Sequence, residues 1–144
     1  MLIAEDDPSD LALLIRALRN AGVPVNLQIT RDGEEIVRYL EGRGEFTDRA
    51  KHPFPDLIVL DLKMPKLSGI EVLRWLRDHP DFACFPKIVL SGSSVEKDVE
   101  EAYALGVNTF FTKPGGFLEL RTLMKHVVEY WLRSQLPVGN HVVH

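Results

Sequence analysis

Acidic side chains crowd the start of this chain, at Glu5, Asp6 and Asp7, and a further aspartate, Asp61, closes the apolar run Asp56–Asp61. A hydroxyl, Ser91, ends a second apolar run, Lys87–Ser91, and Lys113 with Pro114 follows a third, Val107–Thr112. Carboxylates, a hydroxyl and an ammonium are the groups that phosphoryl transfer uses. The Asp61 carboxylate can attack phosphorus. A cation and the Lys113 ammonium would neutralise the oxygens of the group in transit, and Ser91 can hydrogen-bond one of them. Side by side, Asp6, Asp7 and Asp61 repel one another, and a divalent cation removes that conflict. With no Cys or His nearby, the donors suit a hard ion, and Mg²⁺ with carboxylates, waters and a phosphate fits best.

Each residue also has a plainer reading. Asp6 and Asp7 could form a solvated turn that caps the first helix, where negative charge is favourable. Asp61 alone could be a loop acid after a buried strand, and Lys113 a surface lysine. Ser91 could be only a turn residue, and Phe110 is first a core aromatic. What favours the chemical reading is the delivery of all these groups to the same ends of successive strands.

The elements that must position them alternate. Met1–Glu5 is a short strand. Pro8 and Ser9 open a helix, with Ser9 as its expected N-cap. Leu11, Leu14, Ile15 and Leu18 give that helix one buried stripe, and Gly22 stops it. Val25, Leu27 and Ile29 alternate with polar residues as a half-buried strand. Asp32 and Glu35 start a helix to about Leu40. A long polar loop, 41–55, then exceeds the usual connection length. Asp56–Asp61 reads as a strand buried on both faces. Ser68 and Glu71 form a capping box for a helix to about Asp78. Strand Lys87–Ser91, helix Ser93–Leu105, strand Val107–Thr112 and a last helix from Gly116 to about Arg133 complete five β-α units. Such alternation argues for a parallel sheet with helices on both faces, its functional crevice at the carboxyl ends of the strands.

Bulk properties narrow the class. A length of 144 residues with 45% hydrophobic content supports one ordinary core. We read one domain over residues 1–134 and a C-terminal tail, 135–144. The net charge of −4 lacks the basic excess of a DNA-binding module. The single cysteine, Cys84, excludes an internal disulfide and fits a reducing cytosol. No apolar run reaches the ~20 residues of a membrane span, and no signal peptide is visible. The expectation is a cytoplasmic protein with neither DNA nor membrane as partner.

With these residues in place, the chain closely resembles the receiver domain of two-component response regulators. The matching stretches are Glu5-Asp6-Asp7-Pro8, then Asp56 to Pro65 with Ser68-Gly69, then Ser91-Gly92, then Thr112-Lys113-Pro114. The resemblance runs from Met1 to about Leu132. It implies a flavodoxin-like doubly wound (βα)5 sandwich, α/β, with a five-stranded parallel sheet in the order 2-1-3-4-5. It implies that Asp61 takes a phosphoryl group from a sensor histidine kinase. Asp7, Asp61 and the backbone carbonyl of Lys63 would ligate Mg²⁺ (Mn²⁺ substituting), with Asp6 acting through a metal-bound water. Ser91 and Phe110 would form the switch pair, and the Lys113–Pro114 bond is often cis in such proteins. The 41–55 loop and the lack of an output domain look like single-domain regulators paired with phytochrome-type kinases. Such regulators often dimerise through the face of the last strand and helix. The last helix here has more apolar residues than one narrow stripe, which is core alone or core plus a dimer face.

Three departures stand out. Phe110 lacks the hydroxyl of the tyrosine often found there. Lys63 and Ser93 occupy positions that tune phosphoryl lifetime in such proteins. Gly115-Gly116 is an unusual start for the last helix. Two other functions remain open on the residues. A Mg²⁺-dependent phosphohydrolase would need a second acid close after Asp61, where Leu62 and Lys63 stand. A docking module would bind its partner regardless of Asp61.

Overall fold

The runs Leu2–Ala4, Ile58–Leu60 and Lys87–Ser91 are buried at every position; they are apolar on both faces of a strand except for Ser91 and for Lys87, whose ammonium donates to the Ala83 and Phe85 carbonyls. In a computed structural model of the chain, which describes residues 1–22, 24–92 and 95–132, they form the middle of one sheet. The strands are β1 (Leu2–Ala4), β2 (Gln28–Thr30), β3 (Ile58–Leu60), β4 (Lys87–Ser91) and β5 (Thr109–Thr112). All four pairings are parallel and the order is β2-β1-β3-β4-β5, as expected. The helices are α1 (Pro8–Arg19), α2 (Gly33–Glu41), α3 (Gly69–Asp78), the short α4 (Pro80–Ala83), α5 (Glu96–Ala104) and α6 (Phe117–Trp131).

Strand alternation splits the core in two. Ile3, Leu57, Val59, Ile88 and Leu90 face Leu11, Leu14 and Leu18 of α1 and Leu120, Met124, Val127 and Val128 of α6. Leu2, Ala4, Ile58, Leu60 and Val89 face Ile36 and Leu40 of α2, Val72, Leu73 and Leu76 of α3, and Ala102 of α5. Each fully buried Leu or Ile contributes roughly 1.5–3 kcal/mol. Among the described residues, no helix is long and apolar enough to cross a membrane.

Helix starts follow local chemistry, with one change from expectation. Asp7, not Ser9, caps α1: its Oδ1 accepts from the backbone N–H of Ser9 (2.8 Å) and Asp10 (3.0 Å). Pro8 explains the shift, since proline at the first helical position makes the residue before it the cap. The Ser68–Glu71 box forms fully, with Glu71 N–H donating to Ser68 Oγ and Ser68 N–H to Glu71 Oε2. β2 sits slightly later than the alternation of Val25, Leu27 and Ile29 suggests. Its register with β1 places Thr30 beside Ala4, where Thr30 Oγ1 donates to the Ile3 carbonyl. The expected start of α5 at Ser93, and the tail 135–144, lie outside the described residues.

The 41–55 loop is packed, with a 3-10 turn at Gly44–Phe46. The Arg49 guanidinium donates to the carbonyls of Tyr39 (2.8 Å), Leu40 (2.7 Å) and His52 (3.1 Å) and lies over the Phe54 ring. It thereby adds a side-chain cap to carbonyls at the end of α2, where that of Tyr39 also accepts the Gly42 N–H. Tyr39 Oη donates to the Pro53 carbonyl, and Gln28 at the start of β2 donates to that of Lys51. The loop therefore closes the amino end of the sheet, opposite the crevice.

At the crevice, α3 enters against β3 without clearance. A Cβ on Gly69 would lie 2.4 Å from the Asp61 carbonyl oxygen and 2.6 Å from Leu62 Cα, both backbone atoms. Gly69 N–H also donates to the Leu62 carbonyl at 2.8 Å. Only glycine allows this approach, which fixes where Asp61 stands. Gly69→Ala is expected to lower stability by about 1–3 kcal/mol and to shift the amide resonances of Asp61 and Leu62. Urea denaturation and ¹⁵N NMR check both, and an unperturbed variant would remove this account of Gly69.

Candidate functional site

Strand register builds the site. Ala4 pairs with Leu60 across β1 and β3, so the next residues, Glu5 and Asp61, emerge side by side. Ladder hydrogen bonds continue one step further: Glu5 N–H donates to the Thr30 carbonyl and Asp61 N–H to that of Ala4. Ser91 pairs with Thr112, and Lys113 N–H donates to the Ser91 carbonyl at 2.8 Å. Glu5, Asp61, Ser91 and Lys113 thus hang from the last rungs of the ladder.

Glu5, Asp6 and Asp61 each bring one carboxylate oxygen to within 4.8 Å of the others. Ligands across a six-coordinate cation with oxygens at ~2.1 Å stand about 4 Å apart, so these three are close to a binding geometry. The donors are all hard oxygens, two buried and one, Asp6, exposed to solvent that can complete a shell. The acidic cluster is consistent with a divalent metal site.

Lys113 answers the same acids from the other side. Its Nζ lies 2.5 Å from Glu5 Oε1, 2.8 Å from Asp10 Oδ2 and 3.1 Å from Asp61 Oδ2. Burial disfavours its charge, but the bonds to Asp10 and Glu5 and the charge of Asp61 outweigh that and hold its pKa above the usual lysine range. The lysine is an ammonium at any physiological pH. Glu5 feels the opposite balance. Burial pushes its carboxyl up, the Lys113 bond pulls it down, and the Asp61 charge pushes it up again, for a net value of about 7.

Of the residues singled out in the sequence, Asp6, Asp61, Ser91 and Lys113 reach the crevice. Asp61 is buried, and its Oδ1 accepts the Lys63 N–H at 3.4 Å. Ser91 is fully buried at the end of β4. Asp7 is placed elsewhere: its carboxylate is spent on the α1 cap, and Glu5 takes the place in the acidic group expected for it. Both readings of the acidic turn are realised, one residue apart. Counting from the Ala4–Leu60 pair would have found Glu5. Asp10 was missed, and no local signal marks it, because its partner is 103 residues away. Phe110 is half-buried against the α2–α3–α5 side of the core, and its backbone N–H donates to Tyr103 Oη at 3.0 Å. The Lys113–Pro114 bond is trans, unlike the form common in the proteins it resembles.

Comparison with known proteins agrees with this architecture. The family model for the response regulator receiver domain matches residues 1–125. The chain is 34% identical to Response regulator Rcp1 of Synechocystis over 134 residues, which is 93% of this chain and 89% of Rcp1. Among solved structures, the phosphorylated cyanobacterial phytochrome response regulator RcpA superimposes with a TM-score of 0.86 at 38% identity, covering 94% of this chain and 96% of RcpA. The Mn²⁺-bound form of Rcp1 gives 0.84 at 34% identity, covering 95% and 97%. RPA3017, from red light signaling of R. palustris, gives 0.89 at 32%, covering 96% and 97%. A sheet of this order, an acidic crevice with a lysine at its rim, and a family match across most of its length make this chain a member of the response regulator receiver domain family of two-component signalling.

Proposed function

We propose that the chain is a phosphorylation switch that accepts a phosphoryl group on Asp61 from a sensor histidine kinase. The observation that carries this is the Asp61 carboxylate itself: buried, joined to Glu5 and Asp6, and hydrogen-bonded to Lys113. An Asp61 oxygen forms the new O–P bond as the bond from phosphorus to the kinase histidine nitrogen breaks. The imidazole leaves with the electron pair and takes up a proton. Mg²⁺, held by Glu5, Asp6, Asp61 and the Lys63 carbonyl, would supply charge neutralisation when bound, as Mn²⁺ would. Lys113 binds a phosphoryl oxygen, and Ser91 supplies its hydroxyl to another. The rearrangement at Ser91 passes to Phe110 through the β4–β5 pairing. The chain acts on no external substrate and turns over only its own aspartyl phosphate. It works in the cytoplasm through protein contacts. The resemblance to RcpA and RPA3017 favours a phytochrome-type kinase as its donor.

A second copy of the chain is a further partner. β5 is an edge strand, and beside it Phe111, Leu123, Tyr130 and Trp131 line an open groove. Leu118 and Tyr130 are more than half exposed on the same helix, α6. Such a face buries itself well against its own copy about a two-fold axis. Light scattering after gel filtration is expected to give a dimer mass, and the double variant Leu118→Glu/Tyr130→Glu a monomer; a monomeric wild type at micromolar concentration would sink this reading.

Intact-mass spectrometry with a small phosphodonor and Mg²⁺ tests the switch. One phosphoryl adduct should appear on the wild type, require the metal and be absent from Asp61→Asn. A folded, Mg²⁺-binding wild type that takes no adduct would favour the docking module, and steady release of phosphate from many substrates the phosphohydrolase. Acidity gives an independent check. Glu5 is protonated below about pH 7 and must lose that proton to help hold a cation, so binding and proton release are linked. Apparent Mg²⁺ affinity should rise from pH 6 to pH 8 and level off above. In Glu5→Gln it should be weaker and flat over that window, as read by calorimetric titration.

A further inference from the structure

We propose that Asp10 is a positioning residue for the phosphoryl transfer, holding the Lys113 ammonium over Asp61. The inference rests on the reading that Lys113 binds the phosphoryl group. An ammonium has three N–H donors, and here each has one carboxylate: Glu5, Asp10 and Asp61. Asp10 lies outside the acidic group that could take a metal. Replacing Asp61 Oδ2 by a phosphoryl oxygen leaves the other two bonds in place. The third N–H then already points at the incoming group.

The need for this anchor comes from the lysine's own setting. Its stem is long and loses much rotamer freedom when fixed. Its backbone N–H is fixed by the Ser91 carbonyl just past β5, so what needs holding is the stem and its ammonium. Glu5 holds the ammonium from the buried side, with its side chain 4% exposed. Asp10 holds it from the solvent rim, with its side chain 42% exposed. Asp10 is well placed to do so. It sits in the first turn of α1, its N–H donates to Asp7, and α1 packs along α6 through Leu14, Leu18, Leu120 and Met124. The bond therefore ties the lysine's loop to a rigid helix. The alternative is that Asp10 only complements the α1 dipole, as an acid in a first helical turn does. That role would affect folding stability and leave the reaction unchanged.

The test compares wild type, Asp10→Asn, Asp10→Glu and Lys113→Met as full chains, with phosphoramidate and Mg²⁺. Asp10→Asn should label about five- to tenfold more slowly, as expected for a partly exposed ion pair that orients a reacting group. Its Mg²⁺ affinity should stay within about twofold of wild type, since Asp10 is a screened neighbour and not a ligand. Asp10→Glu should recover part of the rate, and Asp10→Asn should slow a Lys113→Met chain no further. A wild-type rate in Asp10→Asn, or equal slowing in the Lys113→Met background, would overturn the proposal. A second readout is the ¹⁵N signal of the Lys113 ammonium. It should be sharp in wild type and broadened by exchange in Asp10→Asn. If wild type takes no phosphoryl group, the switch reading falls, and the ammonium signal still decides whether Asp10 holds the lysine.

Discussion

Glu5 and Asp61 belong to different strands and repel each other, yet the pairing of Ala4 with Leu60 leaves them no way apart. Two apolar strands buried on both faces set that register, because any slip would turn side chains such as Ile3 and Val59 toward the wrong layer of the core. The sheet thus holds a like-charge conflict in place. The rest of the crevice answers it: Lys113 reaches in with a charge of opposite sign, Asp6 opens the group to solvent, and Gly69 lets α3 close down on the Asp61 backbone. On the proposed function, a cation and a phosphoryl group would act on this same balance, and one acid would serve as the switch.

The fold was legible because its signals are local. Continuous apolar runs named the central strands, and the Ser68–Glu71 box and the stripe of α1 named helices. Asp61, Ser91 and Lys113 could be read because each directly follows or ends such a run. Asp7 and Glu5 show where local reading stops. Three adjacent acids look alike in a sequence, and Pro8 decides which one becomes the cap. Register with a strand 56 positions later decides which one enters the crevice. Asp10 was illegible for the same reason, since its partner lies in the last loop before α6. Pro80–Ala83 was also missed, and the 41–55 loop was read as a loop without its packing about Arg49, as neither has a periodic pattern.

The two ends of the sheet do separate jobs. At the carboxyl end, three carboxylates stand around one lysine, Lys113. At the amino end, Arg49, Tyr39 and Gln28 satisfy the carbonyls of a long insertion and leave it tightly bound. On the proposed function, that division would let one pole rearrange while the other keeps its shape, as a two-state element requires.

The hydroxyl of Tyr103 on the Phe110 amide has a further consequence. Phe110 lies on the outermost strand, where a backbone N–H would otherwise invite a foreign strand to extend the sheet. With that donor capped from α5, strand addition has lost a rung at its centre. A partner against this border would then find one backbone bond fewer and rely more on the side chains of β5 and α6.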